Sequence, residues 1–213
     1  MEAMWVDRLK CQSPPVPVFN FDGIGTGGVK TNPTVSARSL GAGYADTKLL
    51  FSGDENLPWG VVELAATSRG LAGPALQMMS AGAGKSVAVE FRLPRAQRVQ
   101  FSVANLDVIG KTLHISGRCG VVDVRPRAVP AVAVGGVTVI DGTSSVELRP
   151  AGAGGFVSPV DERAVADVVF HQPVDVIVIR NVGEAGDSSP WVVTRAEGCQ
   201  TADVLLWSEG VSR

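Results

Sequence analysis

Gly84-Lys85-Ser86, at the end of the small-residue run SAGAGKS, has the ending of a nucleotide-binding phosphate loop. Such a loop opens with a glycine, leaves four residues and then reads Gly-Lys-Ser, so that backbone amides wrap the phosphates while the lysine reaches their outer oxygens. Met79 stands where the opening glycine belongs. A phosphate loop also feeds a helix whose N-terminus faces the anion, whereas Val87, Val89, Phe91 and Leu93 alternate as a strand does. The motif therefore predicts a glycine-rich turn entering a strand. FDGIGTGGVK fails in the same way, because Gly23, Gly25 and Gly28 run on into Lys30-Thr31-Asn32-Pro33, which reads as a loop where a dinucleotide fold needs a helix.

Other residues that could do chemistry are sparse. His114 and His171 each sit in a strand-like stretch without a G-x-S-x-G nucleophile turn, so both read as structural. Cys11, Cys119 and Cys199 form an odd set with no CxxC pair, poor material for zinc; three reduced thiols are expected ahead of one disulfide, with no choice of pair. A carboxylate glycosidase would draw on Asp107, Asp141, Glu162 or Asp187 in loops, although loop acids ordinarily form turns. No resident cofactor is expected. Calcium, which needs six to eight oxygens, has its candidate ligands in Asn105 with Asp107, in Asp54-Glu55-Asn56 and in Asp161-Glu162. Trp59 after Pro58 and Trp191 after Pro190 read as loop indoles, able to offer flat faces to a sugar ring or to seal the end of a sandwich.

The elements that must position these groups are strands. The chain has 213 residues, 25 of them glycine and 13 proline, with 45% hydrophobic content, enough for a core and for many short strands between turns. Its formal charge of −2 with both signs interspersed gives no basic field for nucleic acid, and no apolar run is long enough to insert in a bilayer. No signal peptide is evident at the start. SVAVEFRL (86 to 93) and the segment from Arg98 to Leu106 alternate cleanly, and the Pro94-Arg95-Ala96-Gln97 link predicts an antiparallel hairpin with Glu90, Arg92, Arg98 and Gln100 outward. GVTVI and SVELR, joined by Asp141-Gly142-Thr143, predict a second hairpin. Stretches 165 to 172 and 174 to 180 read as two central strands apolar on both faces; TVSARSL (34 to 40) reads as a half-exposed edge and ADVLLW as the last strand. LAGPALQMMS and SPVDERAV are each given a helical turn.

The expected fold is all-β, a two-sheet antiparallel sandwich of jelly-roll type, with residues 1–15 as an N-terminal arm and 16–213 as one domain. VAVEFRLPRAQRVQFSVANLDVIGKTLHISG, VADVVFHQPVDVIVIRNVGEAG and ADVLLW together resemble the β-sandwich domains of secreted and surface-anchored bacterial proteins and of phage structural proteins. The resemblance is a strand pattern over roughly residues 16 to 207, and Asn105 stands where those domains carry the first acid of an Asp-Ile-Asp ending. It implies a binding, adhesion or architectural module at a cell surface or in a virion. Three functions follow, in order: a non-enzymatic protein presenting a surface to subunits of an assembly, including copies of itself; a glycan-binding module using Trp59 and Trp191; and a carboxylate glycosidase. Trp5 is the expected anchor of the arm on a partner.

Overall fold

The computed structural model describes residues 16–31, 33–38, 45–64, 71–106, 111–118, 120, 122–126, 132–150, 164–184 and 189–199. The arm with Trp5, the acids Asp107, Glu162 and Asp187, Cys11, Cys119, residues 158–163 and the predicted last strand lie outside them. Fifteen antiparallel strands make up the described chain: β1 (Val16–Phe19), β2 (Gly27–Gly28), β3 (Thr34–Ala37), β4 (Thr47–Gly53), β5 (Pro58–Leu64), β6 (Gly73–Met79), β7 (Ser86–Ala104), β8 (Lys111–Arg118), β9 (Val122–Pro126), β10 (Val132–Val134), β11 (Thr138–Ile140), β12 (Thr143–Pro150), β13 (Ala166–Gly183), β14 (Pro190–Val193) and β15 (Ala196–Gly198).

β7 and β13 organise the sandwich. The hairpin predicted around Pro94 does not exist: residues 86 to 104 form one strand that passes through Pro94-Arg95-Ala96-Gln97 without reversing. β13 likewise runs unbroken through Pro173. The two pair along their whole length with register shifts between Phe170 and Val176, opposite Pro94 to Gln97, so they bend together. A proline keeps the residue before it extended and removes a ladder donor, which suits a corner as well as it suits a turn. The first half of β7 pairs with β4 and the second half with β14 and β15, while β13 exchanges β9 for β8 along its length. Each long strand thus belongs to both layers, the arrangement by which strands make sandwich corners.

The core between the layers follows from the alternation. Val87, Val89, Phe91, Val99, Phe101 and Val103 of β7 meet Leu113, Ile115, Val168, Phe170, Ile177 and Ile179 in one apolar cluster. Phe19, Phe21 and Phe91 pack together at its β1 side, with centroids 5.6 to 6.4 Å apart. Gln100, expected outward, is buried and donates to Glu197 Oε2 at 3.0 Å, because β15 lies beside it. LAGPALQMMS contributes the strand β6 in place of a helical turn, since β5 and β14 flank it on both sides. β3 pairs only with β4 among the described residues and alternates in exposure, as an edge does.

The β11–β12 hairpin forms at the predicted turn. Asp141 and Gly142 take positive φ of 49° and 73°, the two-residue geometry whose twist matches the flanking strands. β10 and β11 together flank β12, interrupted at Gly135-Gly136, and close the sheet at that end.

Candidate functional site

The Gly-Lys-Ser turn is filled by the protein's own carboxylates. Gly82 N–H donates to Glu55 Oε2 at 2.9 Å, Ser86 N–H to Asp54 Oδ2 at 2.7 Å, and Lys85 Nζ to Glu55 Oε1 at 2.6 Å. Amides and a lysine that would face phosphate in a nucleotide loop are thus already paired. The Ser86 amide, seconded by its hydroxyl, holds the Asp54 carboxyl below the ordinary 3.8; the Lys85 hydrogen bond and then the Gly82 amide hold Glu55 below 4.5. Lys30 completes the cluster through N–H to Asn56 Oδ1 at 2.8 Å and Nζ to Asp54 O at 3.1 Å. Asp54-Glu55-Asn56 therefore turns its oxygens to protein donors, and no group of three metal-type ligands occurs among the described residues.

Of the other two calcium candidates, Asp161-Glu162 lies outside the described residues and Asn105 with Asp107 is half described. Asn105, at φ 63°, is buried and donates through Nδ2 to Pro190 O. Its backbone carbonyl accepts from Lys111 Nζ at 2.7 Å, and the same Nζ donates to Pro190 O at 3.0 Å. Lys111 has no exposed surface. A lysine so placed has no local signature in the sequence, because its burial depends on Pro190, 79 residues away.

Trp59 and Trp191 lie on β5 and β14, not in loops, and are 3% and 0% exposed. Both pair with Met78 on β6, which places the three side chains in one row on the inner face. Phe51 stacks on Trp59 with centroids 4.4 Å apart and planes 5° from parallel. The prolines before them begin strands rather than loops, and the indoles offer no face to a sugar. Both Nε1–H groups are unpaired among the described residues.

Each histidine has a carboxylate across the ladder: His114 Nε2 lies 3.8 Å from Glu147 Oε2, and His171 Nε2 lies 3.5 Å from Asp123 Oδ2. Both pairs are partly exposed. Asp141, of the four glycosidase candidates the one that is described, caps the hairpin turn. Cys199 is buried and disulfide-bonded, against the expectation of three reduced thiols.

One surface is exposed and apolar. Residues 133 to 142 are exposed without interruption, and Val137, Val139 and Ile140 show 44%, 62% and 70% of their surface. Val139 and Ile140 are adjacent in a strand and point to opposite faces, so exposure of both means that the hairpin end stands clear of the body. No charged side chain occurs from Val132 to Ile140. The outer side of β11 pairs with no strand among the described residues.

No family model matches this chain, and no curated protein matches it. Solved structures similar to it include a family 11 carbohydrate-binding module from Clostridium thermocellum in complex with a β-1,3-1,4-mixed-linked tetrasaccharide (10% identity, TM-score 0.33, covering 71% of this chain and 88% of that one). They also include the family 11 module of the cellulosomal cellulase Lic26A-Cel5E of the same organism (9%, 0.36, 88% and 95%) and TmCBM61 in complex with β-1,4-galactotriose (13%, 0.29, 70% and 85%). The chain is an antiparallel β-sandwich; identities and TM-scores of this size transfer no ligand to it.

Proposed function

We propose that the chain is a non-catalytic binding module that assembles by strand pairing between two copies of its β11 edge. The observation that carries this is the uncharged, exposed hairpin end at Val137, Val139 and Ile140. An open edge offers unpaired amides and carbonyls to a further strand, and sheet proteins ordinarily blunt such edges with lysine, proline or inward charge. None of these occurs from Val132 to Ile140. A second copy is the occupant because the segment is self-complementary. Antiparallel pairing about Val139 sets Ile140 against Thr138 and Asp141 against Val137, so the two acids fall at opposite ends and no like charges meet. The disulfide at Cys199 is consistent with a protein that works outside the reducing cytosol, at a cell surface or beyond it.

Light scattering over a concentration series tests this reading. Dimer should form as concentration rises and be abolished by Val139→Lys, which places a charge on the edge without touching the core. A wild-type protein that stays monomeric throughout overturns it.

A saccharide ligand is the second reading. It is favoured by the exposed loop end where Lys30, Asp54, Asn56 and Lys85 are held in place by hydrogen bonds within the cluster, each ammonium and carboxylate retaining further donor or acceptor capacity of the kind that sugar hydroxyls pair with. Selective glycan-array binding lost in Asn56→Ala supports it; a flat array, or binding that survives that change, removes it.

A further inference from the structure

We propose that Lys111 and Asn105 form a covalent modification site, at which the lysine amine condenses with the asparagine side-chain amide to give an intramolecular isopeptide bond between the end of β7 and the start of β8. Lys111 opens β8 with no exposed surface, and Asn105, 2% exposed, directly follows β7. Lys111 Nζ donates to Asn105 O at 2.7 Å and to Pro190 O at 3.0 Å, and Asn105 Nδ2 donates to the same Pro190 O. Two nitrogens that share one acceptor oxygen lie within a few ångströms of each other, and the amide carbon Cγ is one bond from Nδ2. Rotation about the terminal bonds of the lysine side chain can therefore bring Nζ to Cγ. The φ of 63° at Asn105 lets one residue present both its carbonyl and its side-chain amide to the Lys111–Pro190 neighbourhood.

The step balances without a co-reactant. The amine form of Nζ attacks Cγ, the Nζ–Cγ bond forms, the Cγ–Nδ2 bond breaks, and Nδ2 leaves as ammonia with the proton that Nζ gives up; nothing is oxidised or reduced. Pro190 O accepts from both the entering and the leaving nitrogen, which holds them side by side. Burial favours the product, because an ammonium held away from water is replaced by a neutral amide. Fixing amine and amide in one place also replaces a collision in solution with an intramolecular step, for which effective molarities reach about 10⁵–10⁸ M. The bond ties β7 to β8 by a linkage that reductant does not break, unlike the bridge at Cys199.

The test is mass spectrometry of the full chain, folded first and then denatured and reduced. Its mass should lie below the sequence mass by about 17 Da, one ammonia. Trypsin, which cuts after lysine only where the amine is free, should cut after Arg98 and Arg118 but not after Lys111. The resulting single fragment, residues 99–118, should break up in the spectrometer in a pattern that places the link between Lys111 Nζ and Asn105 Cγ. Lys111→Arg and Asn105→Ala should each have the full mass of its own sequence, and both should be cut after residue 111. A wild-type chain at full sequence mass overturns the proposal. So does ammonia loss with Lys111 still cleaved, the signature of an asparagine that has cyclised on its own backbone, and so does a loss that persists in either variant. Should a variant fail to fold, the wild-type 99–118 fragment decides alone.

Discussion

Asp54 and Glu55 show how two side chains can close a motif that the sequence leaves looking open. The amides of Gly82 and Ser86 donate to carboxylates, so their protonation removes acceptors and the turn loses its brace. Both folded-state pKa values are lowered, so the stabilisation is complete above the ordinary values of 3.8 and 4.5 and is lost as pH falls through the lower folded values. Urea midpoints measured from neutral pH downward should therefore drop in that acid window, and Asp54→Asn should flatten part of the drop while lowering the midpoint at neutral pH. Trp191 supports a second prediction at this scale. With no exposed surface, Trp191→Ala should cost about 3–5 kcal/mol in chemical denaturation. Any loss of ligand binding in that variant would then reflect the lost core, and a stability within 1 kcal/mol of wild type would show that the indole is not packed as described.

The bent strands β7 and β13 dominate at the level of elements, and their ends are where substitution should be least tolerated. Gly183 closes β13 against the turn before β7: a Cβ there would meet the backbone oxygens of Ala81 and Gly82, which no rotamer change can relieve. Gly183→Ala should destabilise by about 3 kcal/mol, read from equilibrium unfolding. Gly142→Ala makes a useful contrast. Nothing lies near its Cβ, but its φ of 73° favours glycine, so it should cost about 1 kcal/mol and leave the core spectroscopically unchanged. Equal losses at the two positions would mean that close approach at Gly183 is not what constrains it.

At the scale of the whole molecule, the described strands all pair antiparallel, with most contacts far apart in sequence, and the chain is bridged covalently at Cys199 after β15. Reduction, or Cys199→Ser, should lower stability by about 2–5 kcal/mol in thermal or urea unfolding. Unchanged stability in reductant would show that the bridge is idle. Much of this architecture is legible without coordinates. Alternation in SVAVEFRL and KTLHISG sets which side chains go inward, and Asp141-Gly142 specifies a hairpin because those residues accept positive φ. Those are local properties, held by a few neighbouring residues. The direction of the chain at Pro94 and Pro173 was not local: proline permits a turn or a bent strand, and the pairing of β7 with β13 along both halves selected the bend. The same holds for the sites. Trp59 and Trp191 follow prolines that suggest loops, yet their shared neighbour Met78 puts them in the core. Lys111 looks like any strand-opening lysine until Asn105 and Pro190 close over it. Side-chain type and period determine which residues can be buried together; only tertiary pairing between distant segments decides which of them meet, because each contact needs a partner the local sequence does not contain.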